Sequence, residues 1–308
     1  MANISKFFVL FIFLFCVNEF QAAEDVSFFL YTDESAEGPT SVSPKPLSCQ
    51  QLCRIDKLTD IFFIIHGWLQ SVDESYVKVI KQFLFRRKKK GALIVEVDWS
   101  KIAKKEYDVA RKYNDYVANA TSNEILRLIK EYEFKLQNIE IICHCMGCHI
   151  AGIAGKYIEK TSGKKLGRIT ALDPAGPAYL NVPQSKRLGP DDADIVFVVH
   201  TDSSIFGYGD NCGTMDFYPN GGKHPQPECL EERGVIPHDM CSHQRSIVFY
   251  AEALNCSRFW GIQCDSYENY IKGLCCSNRK VDFSGPLKKK YSGTYFVKTN
   301  TKKPFLRR

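Results

Sequence analysis

The residues that decide the fold form one continuous run, IICHCMGCHIAG, at positions 141–152. The first residues of the run are apolar, as in a buried strand, and its last residues are small, as in a tightly packed helix. A chain that passes directly from a strand into a helix turns sharply between the two and exposes the residue at the turn. That residue is Cys145, which is therefore the first candidate for chemistry.

The run has the form of a nucleophile elbow, in which a reactive side chain stands at a helix N-terminus and the next backbone N–H faces a developing oxyanion. The usual spelling is G-x-S-x-G. Gly147 is present here, whereas Cys143 replaces the first glycine and Cys145 replaces the serine. The motif alone is a poor match, so its interpretation depends on the rest of the chain.

Apolar segments of strand character alternate with helical stretches on both sides of this run. Strands that are apolar throughout are buried on both faces, as a parallel sheet covered by helices requires. We therefore predict an α/β protein with a mostly parallel central sheet flanked by helices. The predicted strands are residues 26–31, 61–66, 92–98, 139–144, 168–172, 195–200 and a final edge strand at 294–298, with helical spacing at 122–133 and 150–160.

Chemically reactive residues follow the ends of four predicted strands. In an open α/β sheet the carboxyl ends of the strands carry the reactive loops. We therefore expect these residues to meet at one edge of the sheet. The segments are His66-Gly67-Trp68, Asp98-Trp99, His144-Cys145 and Asp173-Pro174.

Four later segments turn the poor motif into a specific resemblance. They are ITALDPAGPAY at 169–179, VHTD at 199–202, DFYPNGG at 216–222 and CSH at 241–243. In their order along the chain and in their amino acids, these segments resemble the pancreatic-lipase-like family, with its secreted phospholipase A1 branch. The resemblance extends from residue 26 to about residue 298. The resemblance implies the α/β-hydrolase fold.

The resemblance also implies a catalytic triad in the order nucleophile, acid, base. Asp173 is then the acid, His243 the base, and Cys145 occupies the nucleophile position. The backbone N–H groups of Trp68 and Met146 would form the oxyanion hole, and main-chain donors survive side-chain changes. No cofactor or metal is implied.

Other residues near the motif have structural interpretations. His144 and His149 match family positions beside the elbow, and we interpret both as structural. Asp98-Trp99 is interpreted as a packing element at a strand end, with a buried carboxylate as the alternative.

The resemblance further implies that Cys229 and Cys241 form the disulfide that bounds the lid of the site. Only eleven residues, 230–240, lie between them, and the loop at 203–215 is short as well. Pancreatic-type lipases carry a longer lid. Short loops resemble the phospholipase A1 branch, and a short lid leaves a polar rim near the chemistry.

Cysteine at the nucleophile position leaves three functions open. Sulfur in a site shaped for oxygen misplaces the acyl carbon, which predicts weak or absent ester hydrolysis and a lipid- or partner-binding role. The insect yolk proteins of this family keep the fold and lose the serine. A thiolate paired with His243 would instead be nucleophilic, giving an active carboxylic-ester hydrolase with a Cys145-His243-Asp173 triad.

The third function is of another class. Cys145 and Cys148 form a C-x-x-C pair at a helix start, the spacing of a thiol redox or metal-binding site. Adding His149 gives the C-x-x-C-H string of covalent haem attachment, but the small, largely helical scaffold that haem requires is not evident.

The start of the chain is typical of an export signal. Lys6 precedes an apolar run, residues 7–17, that is too short to span a membrane. We therefore predict a signal peptide at 1–22 and a secreted, extracellular, single lipase-like domain at 23–308. After the predicted strand at 294–298 only ten residues remain, so no C-terminal β-sandwich is expected.

The thirteen cysteines fit a secreted protein, in which disulfides form. The formal net charge is +6, with basic clusters at 86–90, 288–290 and 302–308. Each cluster could meet an anionic surface, although a solvated face is the ordinary alternative. The expected partner is a lipid or phospholipid surface, including an anionic one. The predicted signal peptide disfavours nucleic acid as a partner. No transmembrane segment is predicted, and no protein partner is identified.

Overall fold

The computed structural model describes residues 25–32, 52, 55–87, 91–203, 205–229, 238–255 and 258–306. The predicted signal peptide, residues 1–22, lies outside these ranges. So does most of the predicted lid, at residues 230–237.

The strands in the described ranges form one ten-stranded sheet in the order β1-β3-β2-β4-β5-β6-β7-β10-β8-β9. Strands β2 to β7 and β10 run parallel, whereas β1, β8 and β9 pair antiparallel at the two edges. The strands are β1 (Ser27–Thr32), β2 (Asp60–Ile65), β3 (Ala92–Asp98), β4 (Ile139–Cys145), β5 (Arg168–Pro174), β6 (Ile195–Val199), β7 (Met215–Pro219), β8 (Trp260–Gln263), β9 (Lys280–Asp282) and β10 (Gly293–Val297).

Helices cover both faces of the sheet and bury the two sides of each central strand. Along β2, Phe63 lies in one hydrophobic cluster with residues of α4 (Asn114–Tyr132) and α5 (Met146–Ser162). Phe62 lies in the cluster on the other face, with residues of α1 (Ser75–Arg87) and α6 (His238–Leu254). This two-sided burial explains why the central strands read as continuous apolar runs. The helices are α1 (Ser75–Arg87), α2 (Ser100–Ala103), α3 (Tyr107–Lys112), α4 (Asn114–Tyr132), α5 (Met146–Ser162), α6 (His238–Leu254) and α7 (Tyr267–Ile271).

The predicted fold class is confirmed, and the predicted strands lie within two residues of the observed ones. The prediction that residues 294–298 form an edge strand was wrong. Phe296 of β10 pairs with Ile262 of β8, and β9 lies beyond β8. These two outer strands are four and three residues long. They are too short to show an alternating pattern in the sequence.

The carboxyl ends of the parallel strands lie along one edge of the sheet, as expected. Gly67, Asp98, Cys145 and Asp173 all lie at that edge. Within the described ranges, no helix has both the length and the apolar character needed to cross a bilayer.

Candidate active site

Cys145 is the last residue of β4 and the N-cap of α5, and its backbone is strained. Its φ of 55° and ψ of −126° lie in a region that residues with a side chain seldom adopt. Such conformations cost about 1–3 kcal/mol and concentrate at functional sites. The pairing of β4 with β5 also shifts register between His144 and Cys145. The chain therefore forms the sharp strand-to-helix turn that the sequence predicted, with the thiol half-buried at its apex.

Gly147 allows the first turn of α5 to pack against the end of β2. A Cβ atom at this position would lie 2.5 Å from the carbonyl oxygen of His66 and 2.8 Å from that of Ile65. Both contacts are with backbone, which cannot move aside cheaply. A physical requirement for close approach therefore explains why the elbow keeps this glycine.

The two cysteines that flank the elbow motif are core residues. Cys143 is buried, and its thiol lies 3.5 Å from the carbonyl oxygen of Thr170. Cys148 is also buried, and its thiol lies 3.9 Å from the carbonyl oxygen of Leu172. Burial, followed by the neighbouring Cys143, raises the pKa of the Cys148 thiol well above its usual value. Both side chains therefore behave as small apolar groups.

Among the described residues, Cys145, Cys148 and His149 do not form a group that could hold a metal ion. The redox role that the C-x-x-C spacing suggested stays a prediction. Cys145 and Cys148 are both free thiols, one half-buried and one in the core. Both ring nitrogens of His149 already have hydrogen-bond partners. Nε2 contacts the carbonyl oxygen of Ala175 at 2.8 Å, and Nδ1 accepts from Leu188 N at 3.2 Å. Burial lowers the pKa of His149 to about 3, so the ring is neutral and structural.

The structure brings Asp173 and His243 together across 70 residues of sequence. His243 Nδ1 donates to Asp173 Oδ2 at 2.6 Å, and both side chains are buried. The other oxygen, Oδ1, accepts from the backbone N–H groups of Thr201 at 2.7 Å and Asp202 at 3.2 Å. A Cβ atom on Gly207 would lie 2.7 Å from Oδ1 and 2.8 Å from Oδ2. The carboxylate is therefore held in one orientation by donors and by close packing.

His243 is placed to hold a proton between Asp173 and Cys145. Burial alone lowers the pKa of this imidazole, but the charge of Cys145, the hydrogen bond to Asp173 and the charge of Asp173 outweigh it and raise the pKa well above its ordinary value. Because Nδ1 is committed to Asp173, Nε2 is the atom that can exchange a proton with Cys145. No hydrogen-bond partner for Nε2 occurs in the described part of the chain. The arrangement favours an imidazolium beside the sulfur.

The two expected oxyanion donors, Trp68 and Met146, belong to segments that adjoin Cys145. A Cβ atom on Gly67 would fall 2.7 Å from Cys145 Cβ, so the backbone that continues into Trp68 lies directly beside the elbow. Met146 begins α5, and the first N–H groups of a helix have no acceptor within it. These contacts place both segments beside Cys145, and the oxyanion role of Trp68 and Met146 stays a prediction.

Gln70 connects the backbone at Gly67 to His144 of the elbow, and it was not predicted from the sequence. Its Oε1 accepts from Gly67 N at 2.7 Å and from the Tyr76 hydroxyl at 3.0 Å, and it lies 2.9 Å from His144 Nδ1. A backbone N–H can only donate, so this atom is the oxygen, and His144 Nδ1 carries a hydrogen. Burial, followed by the charge of His243, lowers the pKa of His144 well below its usual value. His144 is therefore a neutral, structural donor, as the sequence interpretation had it.

Asp98 and Trp99 contact His66 and so stabilise the edge of the sheet that carries Cys145. The His66 ring stacks on the buried Trp99 ring at 5.3 Å, and Trp99 Nε1 donates to the His66 carbonyl oxygen at 2.9 Å. The hydrogen bond from His66 is the leading cause that lowers the pKa of Asp98 to about 2. These contacts fix the strand that leads to Gly67 and Trp68.

A disulfide joins Cys229 to Cys241. Cys241 lies two residues before His243 in the sequence. Arg245 Nη2 lies 3.2 Å from the first sulfur and 3.3 Å from the second, and its guanidinium lies over the Phe305 ring. The disulfide therefore anchors the start of α6, the helix that carries His243. A second disulfide joins Cys264 and Cys275.

The sequence is similar to known proteins over most of its length. A sequence model of the family described as Lipase matches residues 15–305. Lipoprotein lipase from Mus musculus is 32% identical over 300 residues, covering 89% of this chain and 62% of that protein. The values for Homo sapiens lipoprotein lipase are the same. The chain thus spans less than two thirds of the length of these relatives.

Among solved structures, a phospholipase/carboxylesterase from Dyadobacter fermentans aligns with a TM-score of 0.37 and 12% identity, covering 76% of this chain and 86% of that chain. A hyperthermophilic esterase from Pyrobaculum calidifontis has a TM-score of 0.33 and 12% identity, covering 46% of this chain and 56% of that chain. The family match extends over most of the sequence, so the chain belongs to the lipase family.

Proposed function

We propose that this lipase-family protein is secreted, acts as one domain over residues 23–308, and binds phospholipid esters at the Cys145 edge of its sheet with weak or no hydrolysis. The observation that carries the proposal is Cys145 itself. A cysteine stands at a strained elbow whose His243–Asp173 pair is otherwise complete. Such a site keeps the shape that receives an ester while its attacking atom is changed.

Sulfur is larger than oxygen and forms longer bonds, whereas the parts that hold the carbonyl group cannot adjust. Gly67 and Gly147 are packed against neighbouring atoms with no room for a Cβ, so the backbone donors beside them are fixed. The acyl carbon would have to move away from those donors to meet the sulfur. A misplacement of about 1 Å can cost about 100-fold in rate.

The alternative function is an active hydrolase with a Cys145-His243-Asp173 triad. The raised pKa of His243 favours this alternative, because the imidazolium then holds a proton at Nε2. In this reaction the Cys145 sulfur attacks the ester carbon and forms a C–S bond. Collapse of the intermediate breaks the ester C–O bond, and the departing alkoxide takes the Nε2 proton. Water then hydrolyses the thioester, with His243 accepting a proton from it.

A phospholipid is the proposed ester because the loops around the site are short. The described part of the 203–215 loop folds onto the His243–Asp173 pair, with Gly207 bridging to Ala175 and the Phe206 ring 6.1 Å from the His243 ring. The thirteen residues of this loop and the eleven between Cys229 and Cys241 offer few side chains that could cover the site. Such an opening admits a polar head group.

The proposal is tested by measuring fatty-acid release from phospholipid vesicles with wild type, Cys145→Ser and Cys145→Ala. We expect wild type to match the alanine variant within a few fold. The serine variant should be at least about 100-fold faster, because oxygen restores the geometry. Cys276→Ser, a change at an exposed thiol remote from the elbow, serves as the matched control and should leave the rate unchanged.

Other outcomes separate the alternatives. A wild-type rate far above that of Cys145→Ala, abolished by iodoacetamide, would establish the thiol hydrolase instead. Equal rates in all three proteins would show that Cys145 does not occupy the nucleophile position. Peptide mapping that recovers a Cys145–Cys148 disulfide would support the redox function.

A further inference from the structure

A basic segment follows β3 at the same edge of the sheet as Cys145. Residues 101–113 contain five basic and two acidic side chains. We call these residues, together with Leu69, the α2–α3 surface. The lysines at positions 101, 104, 105 and 112 are exposed. The basic residues of this segment do not form an uninterrupted run in the sequence. They form one basic surface only through their positions in the fold.

Direct contacts place this surface beside the proposed active site. Trp68 Nε1 donates to the carbonyl oxygen of Lys105 at 2.8 Å, and the Trp68 ring meets the Tyr107 ring edge-on at 5.2 Å. The Tyr107 hydroxyl donates to the carbonyl oxygen of Pro177 at 2.7 Å. The segment therefore spans from the expected oxyanion residue Trp68 to the loop that follows Asp173.

Apolar side chains are exposed among these lysines. Leu69 is 55% exposed, Val109 41% and Tyr113 39%. Lys105 Nζ lies 5.5 Å from the centre of the Tyr113 ring. Exposed apolar groups next to lysines are typical of surfaces that lie in the interfacial region of a membrane. A soluble polyanion would need the lysines but would gain nothing from Leu69 or Val109.

The basic clusters that the sequence suggested lie elsewhere in the fold. Arg86 and Arg87 end α1 just before β3 begins. Residues 288–290 come just before β10, which is parallel to the central strands. Both clusters therefore lie at the amino-terminal edge of the sheet, opposite Cys145. In the tail, Leu306 N donates to Glu252 near the end of α6. The described residues of these three clusters therefore do not share the edge of the sheet that carries Cys145.

We propose that the α2–α3 surface docks this protein onto anionic phospholipid bilayers, with Leu69 and Val109 entering the interface and the lysines meeting the head groups. The purpose of this docking rests on the proposed phospholipid-binding function. The docking itself does not depend on hydrolysis. It is therefore tested by binding alone, in the full chain and in Cys145→Ala.

The first test is flotation of the protein with vesicles of phosphatidylcholine, or of equal parts phosphatidylcholine and phosphatidylglycerol. The variant K104Q/K105Q/K112Q should lose about fivefold in affinity for the anionic vesicles per lysine, or roughly 100-fold in total. The matched control K288Q/K289Q/K290Q removes the same charge from the opposite edge and should stay within about twofold of wild type. Added salt should weaken wild-type binding. Equal losses in the two variants, or equal wild-type affinity for both vesicle types, would overturn the proposal.

The second test separates a bilayer from a soluble polyanion. We expect Val109→Gln with Leu69→Gln to weaken binding to anionic vesicles severalfold while leaving binding to heparin unchanged. If the apolar changes leave vesicle binding unaltered and heparin binding depends on Lys104, Lys105 and Lys112, the face recognises polyanions and the bilayer proposal is wrong. A chain that hydrolyses nothing but floats as expected would contradict only the alternative hydrolase function.

Discussion

Replacing Asp173 by asparagine in a chain that carries Cys145→Ser should lower ester hydrolysis by about 10⁴-fold. The reason lies in the two donors on Asp173 Oδ1, the backbone N–H groups of Thr201 and Asp202. They would hold the amide oxygen of asparagine at the Oδ1 position. Its NH₂ group would then face His243 Nδ1. That nitrogen would have to accept, the ring hydrogen would move to Nε2, and the base could no longer take a proton from the serine.

The measurement is kcat for fatty-acid release, compared with the Cys145→Ser parent. Circular dichroism of both proteins checks that folding is unchanged. In the natural Cys145 chain the same substitution should lower the pKa of His243, since the Asp173 charge helps to raise it. NMR titration of the imidazole measures this independently of any activity. A loss below about tenfold, with no movement of the His243 titration, would mean that Asp173 is not the triad acid.

The edge of the sheet that carries Cys145 and Asp173 could be predicted from the sequence because these residues lie in local patterns. Cys145 and Asp173 each lie at the carboxyl end of a strand that is buried on both faces. The sequence of such a strand is a continuous apolar run. His243 was identified through the family resemblance alone, since nothing in the local pattern around it indicates a base. Its contact with Asp173 crosses 70 residues.

Residues that act only through distant contacts could not be predicted. Gln70 reaches His144 across 74 residues, and Gly207 approaches the Asp173 carboxylate from a separate loop. Neither belongs to a motif with a physical meaning of its own. The lysines of the α2–α3 surface were missed for a related reason. They are interrupted by Ile102 and Ala103, which are buried, so the charge becomes a surface only after the chain has folded.

Replacing Lys81 by methionine should destabilise the fold by about 3–5 kcal/mol, because it leaves Glu96 buried without its ion-pair partner. Lys81 Nζ, on α1, lies 2.6 Å from Glu96 Oε1 on β3 and 3.9 Å from the centre of the Tyr31 ring. Both charged residues are buried, at 6% and 3% exposure. The attraction is therefore strong, but so is the cost of taking two charges out of water.

The double variant Lys81→Met with Glu96→Leu distinguishes the pair from its parts. Removing both charges also removes both desolvation costs, so we expect the double variant to be within about 1 kcal/mol of wild type or more stable. Urea unfolding measures all three free energies. Lys272→Met, which breaks an exposed ion pair with Glu268, should change stability by less than about 1 kcal/mol. If the single and double variants are equally destabilised, the loss comes from the packing of the lysine stem under Tyr31, and the charge on Glu96 carries none of it.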